Sequence, residues 1–434
     1  MGLTEKMVVF APVKIDLELR VFGTLVKGAL RCFLAAAVNV IAVGEIDIGN
    51  TQRDAAAIAG VGHTEYSKNS GVTTLTLAIR AVQAALADAG LSQHDVDGVA
   101  CHRVGDSVDP ALVAQALGVR DLRFVRDVFG GGSSCIAPLD AAATAVATGQ
   151  ARCVVVWRAL NGRSGVQMAG AASNPALSAD AQYWLPYLHA SAPQQFAMFA
   201  RMYMHKHGLT AEDLGRVAIA QRAHAALNPR AMMRRPITMD DYLGSRWIAE
   251  PLRLLDCCQQ NDAAVALVVT STARARDLRR TPVTITATAF GGGGQLASNH
   301  RSDPTVSGAH AMAPRLYAAA GLGPDEIDLA ELYDAFTPLV PLQLEAYGFC
   351  KRGEAGHMIR EGAVRLGGVL PINTHGGHLS EGYVHGLNHV AEAVLQLRHD
   401  CGERQVPGAE VALSTAQPGV NSGLTGAVIL KRAA

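Results

Sequence analysis

The feature that most constrains the fold of this 434-residue chain is an internal repeat. The string Ala89-Gly90-Leu91, three residues, then Asp95-Val96-Asp97 returns as Ala320-Gly321-Leu322, three residues, then Glu326-Ile327-Asp328. Each copy follows an Ala-rich segment of helical periodicity and precedes an apolar run of strand length. The repeat therefore predicts two α/β units of one design, related by duplication.

A pair of glycine clusters supports the duplication. Gly130-Gly131-Gly132 precedes a predicted helix over residues 137–148, and Gly376-Gly377 precedes a predicted helix over 387–397. Apolar patterns also predict strands and helices elsewhere: strands over 55–61, 96–101 and 329–333, and helices over 74–89, 194–207 and 210–227. We expect an N-terminal half at 51–290 with an inserted loop domain at about 158–255, and a C-terminal half at 291–434. The run Phe290-Gly291-Gly292-Gly293-Gly294 is typical of a linker between them.

The first 50 residues differ from the rest of the chain. Their apolar stretch is interrupted by charges, and its longest uncharged run, residues 32–44, is shorter than the roughly 20 residues that a membrane-spanning helix needs. That run also begins too far along the chain for a secretory signal. We expect residues 1–50 to be an extension of uncertain structure, and the protein to have no membrane span.

The charge balance argues against nucleic acid as a partner. Lys and Arg together number 38, as do Asp and Glu, and aromatic residues make up 5% of the chain. A nucleic-acid binder needs a basic face or stacking rings. The eight cysteines are scattered without a C-x-x-C pair, which predicts reduced thiols and a cytoplasmic location. The adjacent Cys257 and Cys258 are expected to be structural residues.

Two segments of the second half concentrate groups suited to chemistry. Residues 373–386 alternate polar side chains with glycines, and such a loop offers bare N–H groups to an oxygen that gains negative charge. About 50 residues earlier, Tyr333 ends an apolar run of strand length. Sites of open α/β sheets form where strands end, so we expect these two segments to meet there.

In these two segments the chain resembles the thiolase superfamily. Residues 373–386 match the family motif Asn-x-x-Gly-Gly-x-x-(Ser/Ala)-x-Gly-His-Pro-x-Gly, with Tyr383 at the catalytic histidine and Val384 at the proline. Residues 333–336 match the family's Asn-Glu-Ala-Phe or His-Asp-x-Phe, so Tyr333 replaces the Asn or His. The resemblance covers residues 55–431 and implies the α/β thiolase fold: two duplicated α/β halves in a five-layered αβαβα arrangement, with an inserted loop domain.

The departures from the family pattern concern its two cysteines. A thiolase carries a cysteine nucleophile on the first Gly-rich loop, where a helix N-terminus lowers the thiol pKa. That register falls on Gly132 or Ser133, and Cys135 lies two or three residues late. The C-terminal Gly-rich segment, residues 414–426, contains no cysteine either. Claisen chemistry through an acyl-enzyme therefore lacks both thiols.

This pattern resembles the steroid side-chain aldolases of the superfamily, which are also labelled lipid-transfer proteins, and residues 246–259 resemble that group as well. The resemblance implies retro-aldol cleavage of a β-hydroxyacyl-CoA, such as a 17-hydroxy steroid side-chain ester, into a ketosteroid and a short acyl-CoA such as propionyl-CoA. We expect Tyr333 and Tyr383 to share the proton transfers. Backbone N–H groups near the glycines are expected to hold the enolate. The predicted oxyanion and substrate-binding residues are Gly132, Ser133, His375, Gly376, Gly377, His378 and His385.

Histidines and arginines of the chain have further interpretations. His375, His378, His385 and His389 are expected to be donors or proton relays rather than ligands of a metal, since no carboxylate or cysteine partner with ligand spacing accompanies them. No cofactor is expected apart from the coenzyme A of the substrate. Two groups of basic residues are candidates for gripping its phosphates, with a solvated surface as the alternative: Arg230, Arg234 and Arg235, or Arg274, Arg276, Arg279 and Arg280.

Two other functions compete with the aldolase. One is an acetyl-CoA acyltransferase (thiolase) that uses Cys135, and the other is a non-catalytic lipid or acyl-CoA carrier. The resemblance also implies a homodimer with active sites completed near the subunit interface. A small OB-fold and zinc-ribbon protein that holds the acyl-CoA is a further expected partner.

Overall fold

The computed structural model describes residues 53–165, 185–187, 189, 191–293 and 301–433. Nine strands form one sheet and two form a small separate one. The strands are β1 Ala56–His63, β2 Gly98–Arg103, β3 Phe124–Phe129, β4 Cys153–Asn161, β5 Trp247–Ala249, β6 Leu252–Arg253, β7 Asp262–Ser271, β8 Val283–Gly292, β9 Leu329–Glu331, β10 Val411–Thr415 and β11 Leu424–Arg432.

The helices lie between these strands, singly or in consecutive groups. They are α1 Thr74–Ala89, α2 Pro110–Leu117, α3 Ala137–Ala147, α4 Ala192–His207, α5 Ala211–Ala226, α6 Met239–Gly244, α7 Thr272–Arg276, α8 Gly308–Ala320, α9 Leu339–Ala346, α10 Ala355–Arg360, α11 Gly377–Ser380 and α12 Leu387–Leu397. Helices α4 to α6 and the small β5–β6 sheet lie in the chain between β4 and β7, within the segment predicted as an insertion.

The order of the strands confirms the predicted duplication. Outward from the junction of β1 with β8, the first half runs β1-β7-β4-β2-β3 and the second β8-β11-β10-β9. In both halves the first two pairings are antiparallel and the third is parallel. The counterpart of β3 is reduced to a parallel bridge between Ala330 and Ile372. Two halves of one topology thus join edge to edge.

The repeated string takes the same conformation in both halves. Gly90 ends α1 with φ 74° and ψ 26°, and Gly321 ends α8 with φ 64° and ψ 35°. Both are left-handed values that favour glycine, and in both copies a short 3₁₀ turn and a strand follow. The local chemistry of a helix C-terminus is therefore what made the repeat visible in the sequence.

The core is arranged in five layers, as the duplicated fold predicts. Helices α1 and α2 cover one face of the first half, and α8 and α9 cover the outer face of the second. Helices α3 and α12 lie between the halves, in one apolar cluster with strands of both. Along β4, alternate side chains enter the outer cluster and the central one. Strands buried on both faces explain the nearly continuous apolar runs of the sequence.

Some sequence expectations meet a different outcome. The linker interpretation of residues 290–294 is wrong over 290–292, because these residues extend β8 and pair with β11, while Gly294 lies outside the described residues. The seven described cysteines are free thiols, as expected, and Cys32 lies outside the described part. The extension predicted at 1–50 also lies outside it. Within the described residues, no helix has the combined length and apolar character that crossing a lipid bilayer requires.

The contact between β1 and α1 gives a test of this packing. A Cβ on Gly60 would overlap the backbone carbonyl oxygen of Ala85. We expect Gly60→Ala to lower the free energy of unfolding by about 1–3 kcal/mol, because strand and helix must separate. Urea unfolding followed by circular dichroism measures it. Gly244→Ala is the matched control, since a Cβ there meets nothing within 4 Å. Equal unfolding midpoints for the two variants would contradict the packing.

Candidate active site

A cavity of about 660 Å³ opens beside the ends of strands from both halves. Gly132, Tyr333 and Tyr383 line it together with residues of the inserted segment. Part of the lining is apolar: Leu160, Phe196, Ile248, Leu254, Leu255 and Phe336. Three cations also line it, and they come from distant parts of the chain: Lys68, Arg163 and Arg246. The cavity therefore suits a ligand that has both apolar and anionic parts.

Tyr333 is fixed by the strand beside its own. It follows β9, and its backbone N–H donates to the Thr415 hydroxyl at the end of β10 over 2.9 Å. Its carbonyl oxygen accepts from the side chain of Gln343 on α9 over 2.7 Å. The same Gln343 accepts from Thr415 at 2.6 Å, which closes a buried ring of hydrogen bonds. Tyr333 thus extends from a rigid strand end rather than from a mobile loop.

Two asparagine side chains hold the backbone beside the tyrosines. Asn261 accepts from the Tyr383 N–H at 2.6 Å and donates to its carbonyl at 3.3 Å. Asn373 accepts from the Leu332 N–H at 2.6 Å and donates to its carbonyl at 2.8 Å. Each amide reproduces a pair of strand-like hydrogen bonds. Asn261 was not predicted, since a single asparagine before a strand gives no distinctive sequence signal.

The hydroxyl oxygens of Tyr333 and Tyr383 lie 2.6 Å apart, within hydrogen-bond distance. Both residues are buried, at 2% and 6% exposed. Burial raises the pKa of each phenol well above its usual value, and for Tyr333 the neighbouring Tyr383 raises it further. Both phenols are therefore protonated near neutral pH. The pair is a proton donor and acceptor in contact, not a preformed phenolate.

Gly132 is one of the two positions at which the family pattern would place a thiol nucleophile, and it has no room for a side chain. A Cβ on this residue would overlap the hydroxyl and ring of Tyr333. Cys135 does not line the cavity: its side chain is buried behind Gly386, and burial raises the pKa of its thiol. The thiolase alternative through Cys135 therefore has no reactive, accessible thiol to use.

The other predicted site residues divide into two groups. Ser133 and His385 line the cavity with Gly132. The remaining four, His375, Gly376, Gly377 and His378, do not. The α-carbon of Gly377 faces the Asp334 carboxylate, so the expectation that backbone N–H groups near Gly377 hold the enolate gains no support from the geometry. Of the predicted oxyanion and substrate-binding residues, those that line the cavity are thus Gly132, Ser133 and His385.

His378 supports the tyrosines from behind. Its ring lies 4.7 Å from the ring of Tyr333 and 4.6 Å from that of Tyr383, between centroids. Asp334 accepts from the His378 N–H at 2.9 Å and lies 3.0 Å from Nε2 of His389. Side-chain atoms of Asp334, His378 and His389 lie within 4.8 Å of one another. Because Asp334 is already engaged by main-chain and imidazole groups, we interpret this cluster as a hydrogen-bonded support, and the expected absence of a metal stays a prediction.

His375 belongs to a buried ionic network under the glycine loop. Its Nδ1 lies 2.9 Å from Glu331, and its Nε2 lies 3.5 Å from Glu381. Burial opposes the charged ring, but the carboxylates of Glu381 and Glu331 raise the pKa of His375 to about 9. His375 is thus charged near neutral pH, and it does not line the cavity.

The lining of the cavity also bears on two other groups of residues interpreted from the sequence, the adjacent cysteines and the seven arginines. Cys257 and Cys258, expected to be structural, both lie on the cavity wall. Burial raises the pKa of Cys257 to about 12, so this thiol stays protonated. None of the seven arginines proposed for coenzyme A lines the cavity. Three of them make ion pairs elsewhere: Arg230 with Glu381, Arg274 with Asp95 and Arg280 with Asp88.

The overlap between Gly132 and Tyr333 predicts a coupled pair. We expect Gly132→Ala to lower the melting temperature, because the methyl group displaces the Tyr333 ring. Tyr333→Asn, which removes that ring, is expected to suppress most of the loss when the two changes are combined. Thermal unfolding of the two single variants and the double variant measures the coupling. Additive effects would contradict the steric conflict.

His375 predicts a pH dependence of stability. Its pKa of about 9 in the folded chain exceeds the unfolded value of about 6.5, so its contribution is complete below pH 6.5 and is lost as the pH rises through 9. We expect the free energy of unfolding to fall by up to about 1.4 kcal/mol per pH unit between pH 6.5 and 8. Glu331→Gln should flatten this slope, whereas His357→Gln, a change of an exposed histidine, should not. A slope unchanged by Glu331→Gln would contradict the assignment.

Comparisons with known proteins agree with this geometry. Residues 294–432 match the family model of the thiolase C-terminal domain. The chain is 49% identical over 355 residues to a steroid side-chain-cleaving aldolase of Thermomonospora curvata, which covers 79% of this chain and 90% of the relative. It is 47% identical over 383 residues to the 17-hydroxy-3-oxo-4-pregnene-20-carboxyl-CoA lyase of Mycobacterium tuberculosis, over 85% of this chain and 98% of the relative.

Solved structures give the same result. The structure described as the Ltp2-ChsH2(DUF35) aldolase aligns with a TM-score of 0.83 at 47% identity, over 88% of this chain and 99% of the other. Human mitochondrial 3-ketoacyl-CoA thiolase aligns with a TM-score of 0.65 at 15% identity, over 88% of this chain and 100% of the other, which supports the fold alone. The chain belongs to the thiolase superfamily, in its branch of steroid side-chain-cleaving aldolases, and is a carbon–carbon lyase.

Proposed function

We propose that this enzyme cleaves the side chain of a 17-hydroxy steroid CoA ester by a retro-aldol reaction, releasing a 17-ketosteroid and propionyl-CoA. The observation that carries the proposal is the contact between the Tyr333 and Tyr383 hydroxyls, 2.6 Å apart, in a cavity where Gly132 leaves no room for a side chain beside Tyr333. The names of the relatives from Thermomonospora curvata and Mycobacterium tuberculosis support the choice of substrate.

The cavity lining supports an amphipathic substrate. Phe196 and Phe336 stack with their ring centroids 4.6 Å apart, and both line the cavity. Such a flat apolar wall suits a steroid nucleus. Lys68, Arg163 and Arg246 suit the phosphates of coenzyme A, as guanidinium groups bind phosphate through paired donors.

The two phenols explain the chemistry without requiring a phenolate. The β-hydroxyl of the substrate gives its proton to the oxygen of one tyrosine, which passes its own proton over 2.6 Å to the other. The second tyrosine protonates the α-carbon. In the same concerted step the bond between the α- and β-carbons breaks, the β-carbon becomes the ketone, and the electron pair of that bond takes up the proton at the α-carbon, with enolate charge on the thioester oxygen only in the transition state. One proton has moved from oxygen to carbon, and both phenols end neutral.

This relay suits the raised pKa of both tyrosines. A free phenolate would be costly to form in so buried a site, whereas a concerted transfer never creates one. The step needs no cofactor of its own, because coenzyme A enters as part of the substrate. The direction of the relay, and thus which tyrosine meets the β-hydroxyl, is set by how the steroid enters.

The enolate oxygen requires donors that are in place before the bond breaks. Gly131 precedes the 3₁₀ turn formed by residues 132–134, and the first N–H groups of a helical turn have no acceptor within it. The N–H groups of Gly132 and Ser133 are therefore proposed to hold this oxygen, as in an oxyanion hole.

Partners of this chain are proposed on two observations. The similar solved structure is described with two components, Ltp2 and ChsH2(DUF35), so we propose a second protein of the OB-fold and zinc-ribbon type that holds the acyl-CoA. Strand β3 is at the edge of the sheet and exposes Val125 and Phe129, the latter 86% exposed. An uncovered apolar edge strand is a surface for pairing. We propose that the homodimer forms there.

The relay predicts the effect of removing either hydroxyl. We expect Tyr333→Phe and Tyr383→Phe each to lower kcat by roughly 10²–10⁴-fold, since each breaks the only proton path in the proposed step. The double variant should be little slower than the slower single variant, because the two groups act as one unit. The assay follows ketosteroid and propionyl-CoA by liquid chromatography, with 17-hydroxy-3-oxo-4-pregnene-20-carboxyl-CoA, with and without the partner protein.

Tyr317→Phe is the matched control, since its hydroxyl donates to the Tyr347 carbonyl outside the cavity. It should retain the wild-type rate. Near-wild-type cleavage by both Tyr333→Phe and Tyr383→Phe would overturn the relay. Binding of the ester without cleavage by the wild-type protein, with the partner present, would favour the carrier function instead.

A further inference from the structure

Arg158 is a fully buried cation in the middle of an apolar strand. It lies on β4, where the flanking residues enter the apolar core, and its side chain is 0% exposed. Its guanidinium pairs with the carboxylate of Asp106, which is 6% exposed, and donates to the Ala159 carbonyl at 3.0 Å. Burying an arginine costs free energy unless its donors have hydrogen-bond partners. The partner of its remaining donors therefore indicates the role of this residue.

That partner is His385 of the active-site loop. Nε and Nη2 of Arg158 lie 3.0 and 2.7 Å from Nδ1 of His385. A guanidinium has donors only and does not lose its proton in proteins. Nδ1 must therefore accept, and the single proton of the neutral ring has to be on Nε2. Burial and the charge of Arg158 hold the pKa of His385 well below its usual range, so the ring stays neutral.

The protonated nitrogen faces the cavity. His385 lines it, and Nε2 would be 3.7 Å from a Cβ placed on Gly131, beside the proposed enolate donors. Within the described part of the chain, Nε2 has no hydrogen-bond partner, so its N–H is free for a ligand. The backbone of His385 has φ 50°, in the left-handed region that costs energy for a non-glycine residue.

Among the groups around His385, Arg158 is the one that fixes the tautomer of the His385 ring. His102 on β2 approaches with its ring centroid 5.8 Å away, and Tyr383 on the same loop at 5.0 Å. His102 is buried, and burial holds its pKa well below its usual range, so it brings no charge. Asp106 reaches His385 only through Arg158.

We propose that Arg158, anchored by Asp106, is a positioning residue that holds His385 as the neutral Nε2–H tautomer, and that this N–H donates to the thioester oxygen of the substrate. The role of the donor rests on the proposed function; the tautomer does not. A neutral imidazole stabilises the enolate without surrendering a proton to its oxygen. The proton that leaves the β-hydroxyl is then kept for the α-carbon by way of the tyrosines.

The tautomer is measured directly on the substrate-free protein. With ¹⁵N-labelled histidine, NMR of the wild-type chain and of His385→Gln identifies the His385 signals. We expect Nδ1 to be unprotonated and Nε2 protonated throughout pH 6–8. In the double variant Arg158→Met with Asp106→Leu, which removes both charges together, the ring should titrate or redistribute between tautomers. A proton on Nδ1 in the wild type, or a ring indifferent to the double variant, would overturn the lock.

The role of the donor is measured by turnover. We expect His385→Phe to lower kcat by about 10²–10³-fold with little change in KM, as for the loss of one oxyanion donor. His385→Gln should recover part of the rate, because its amide can donate near the position of Nε2. Equal rates for His385→Phe and the wild type would remove the donor role and leave the tautomer result standing.

The positioning role of Arg158 needs its own control. Arg158→Met with Asp106→Leu should lower kcat less than His385→Phe and introduce a pH inflection in kcat that the wild type lacks. Arg398 and Asp88 form a largely buried pair outside the cavity, 2.8 Å apart, so their double replacement should leave both kcat and its pH profile unchanged. A uniform loss of rate with no new inflection would mean that Arg158 is only structural. Failure of the wild-type protein to cleave the ester would reject the proposed function but not the tautomer.

Discussion

The hydrogen bond between the Tyr333 and Tyr383 hydroxyls is the interaction on which the rest of the site depends. Each tyrosine is held in place by hydrogen bonds to its backbone. Thr415 and Gln343 bind the backbone of Tyr333, and Asn261 binds that of Tyr383. The two hydroxyl groups are therefore free to exchange protons with a substrate, while the hydrogen-bonded backbone keeps the distance between them. Preorganisation of this kind is what allows a reaction to proceed without rearranging its catalytic groups.

The polar interior behind the cavity serves this arrangement. Asp334, the residue that follows Tyr333, accepts a hydrogen bond from the glycine loop through its carboxylate. His378 packs against both phenol rings. Below it, His375 contributes positive charge between the buried carboxylates of Glu331 and Glu381. The histidines that looked alike in the sequence thus divide by environment. His375 carries charge, His378 supports the phenol rings, and His385 lines the cavity.

Local signals made the fold predictable. Gly90 and Gly321 mark the C-termini of equivalent helices, because a residue in the left-handed conformation ends such a helix well. The two halves that contain these helices also share one strand order. The tyrosines were identifiable because each lies inside a motif of known register. The glycine-rich end of β8 was misassigned, since glycine frequency indicates loops even where a neighbouring strand supplies the pairing.

The cavity wall could not be predicted in the same way. Lys68, Arg163 and Arg246 come together only through tertiary contacts between distant segments, which a local pattern does not encode. Arg158 is nevertheless visible in the sequence, as a single cation inside the apolar run of β4. A charge at such a position requires buried partners, and those of Arg158 are the Asp106 carboxylate and the ring of His385.

The steric exclusion between Gly132 and Tyr333 has an evolutionary consequence. A side chain at Gly132 and the phenol ring of Tyr333 would occupy the same space, so one of them is displaced when both are present. In a lineage that began with a thiol at this position, the tyrosine fits in its present place only once the glycine has arisen. A glycine that arose first leaves a stage with neither group, which selection for a weaker activity or redundancy from a second gene copy would preserve.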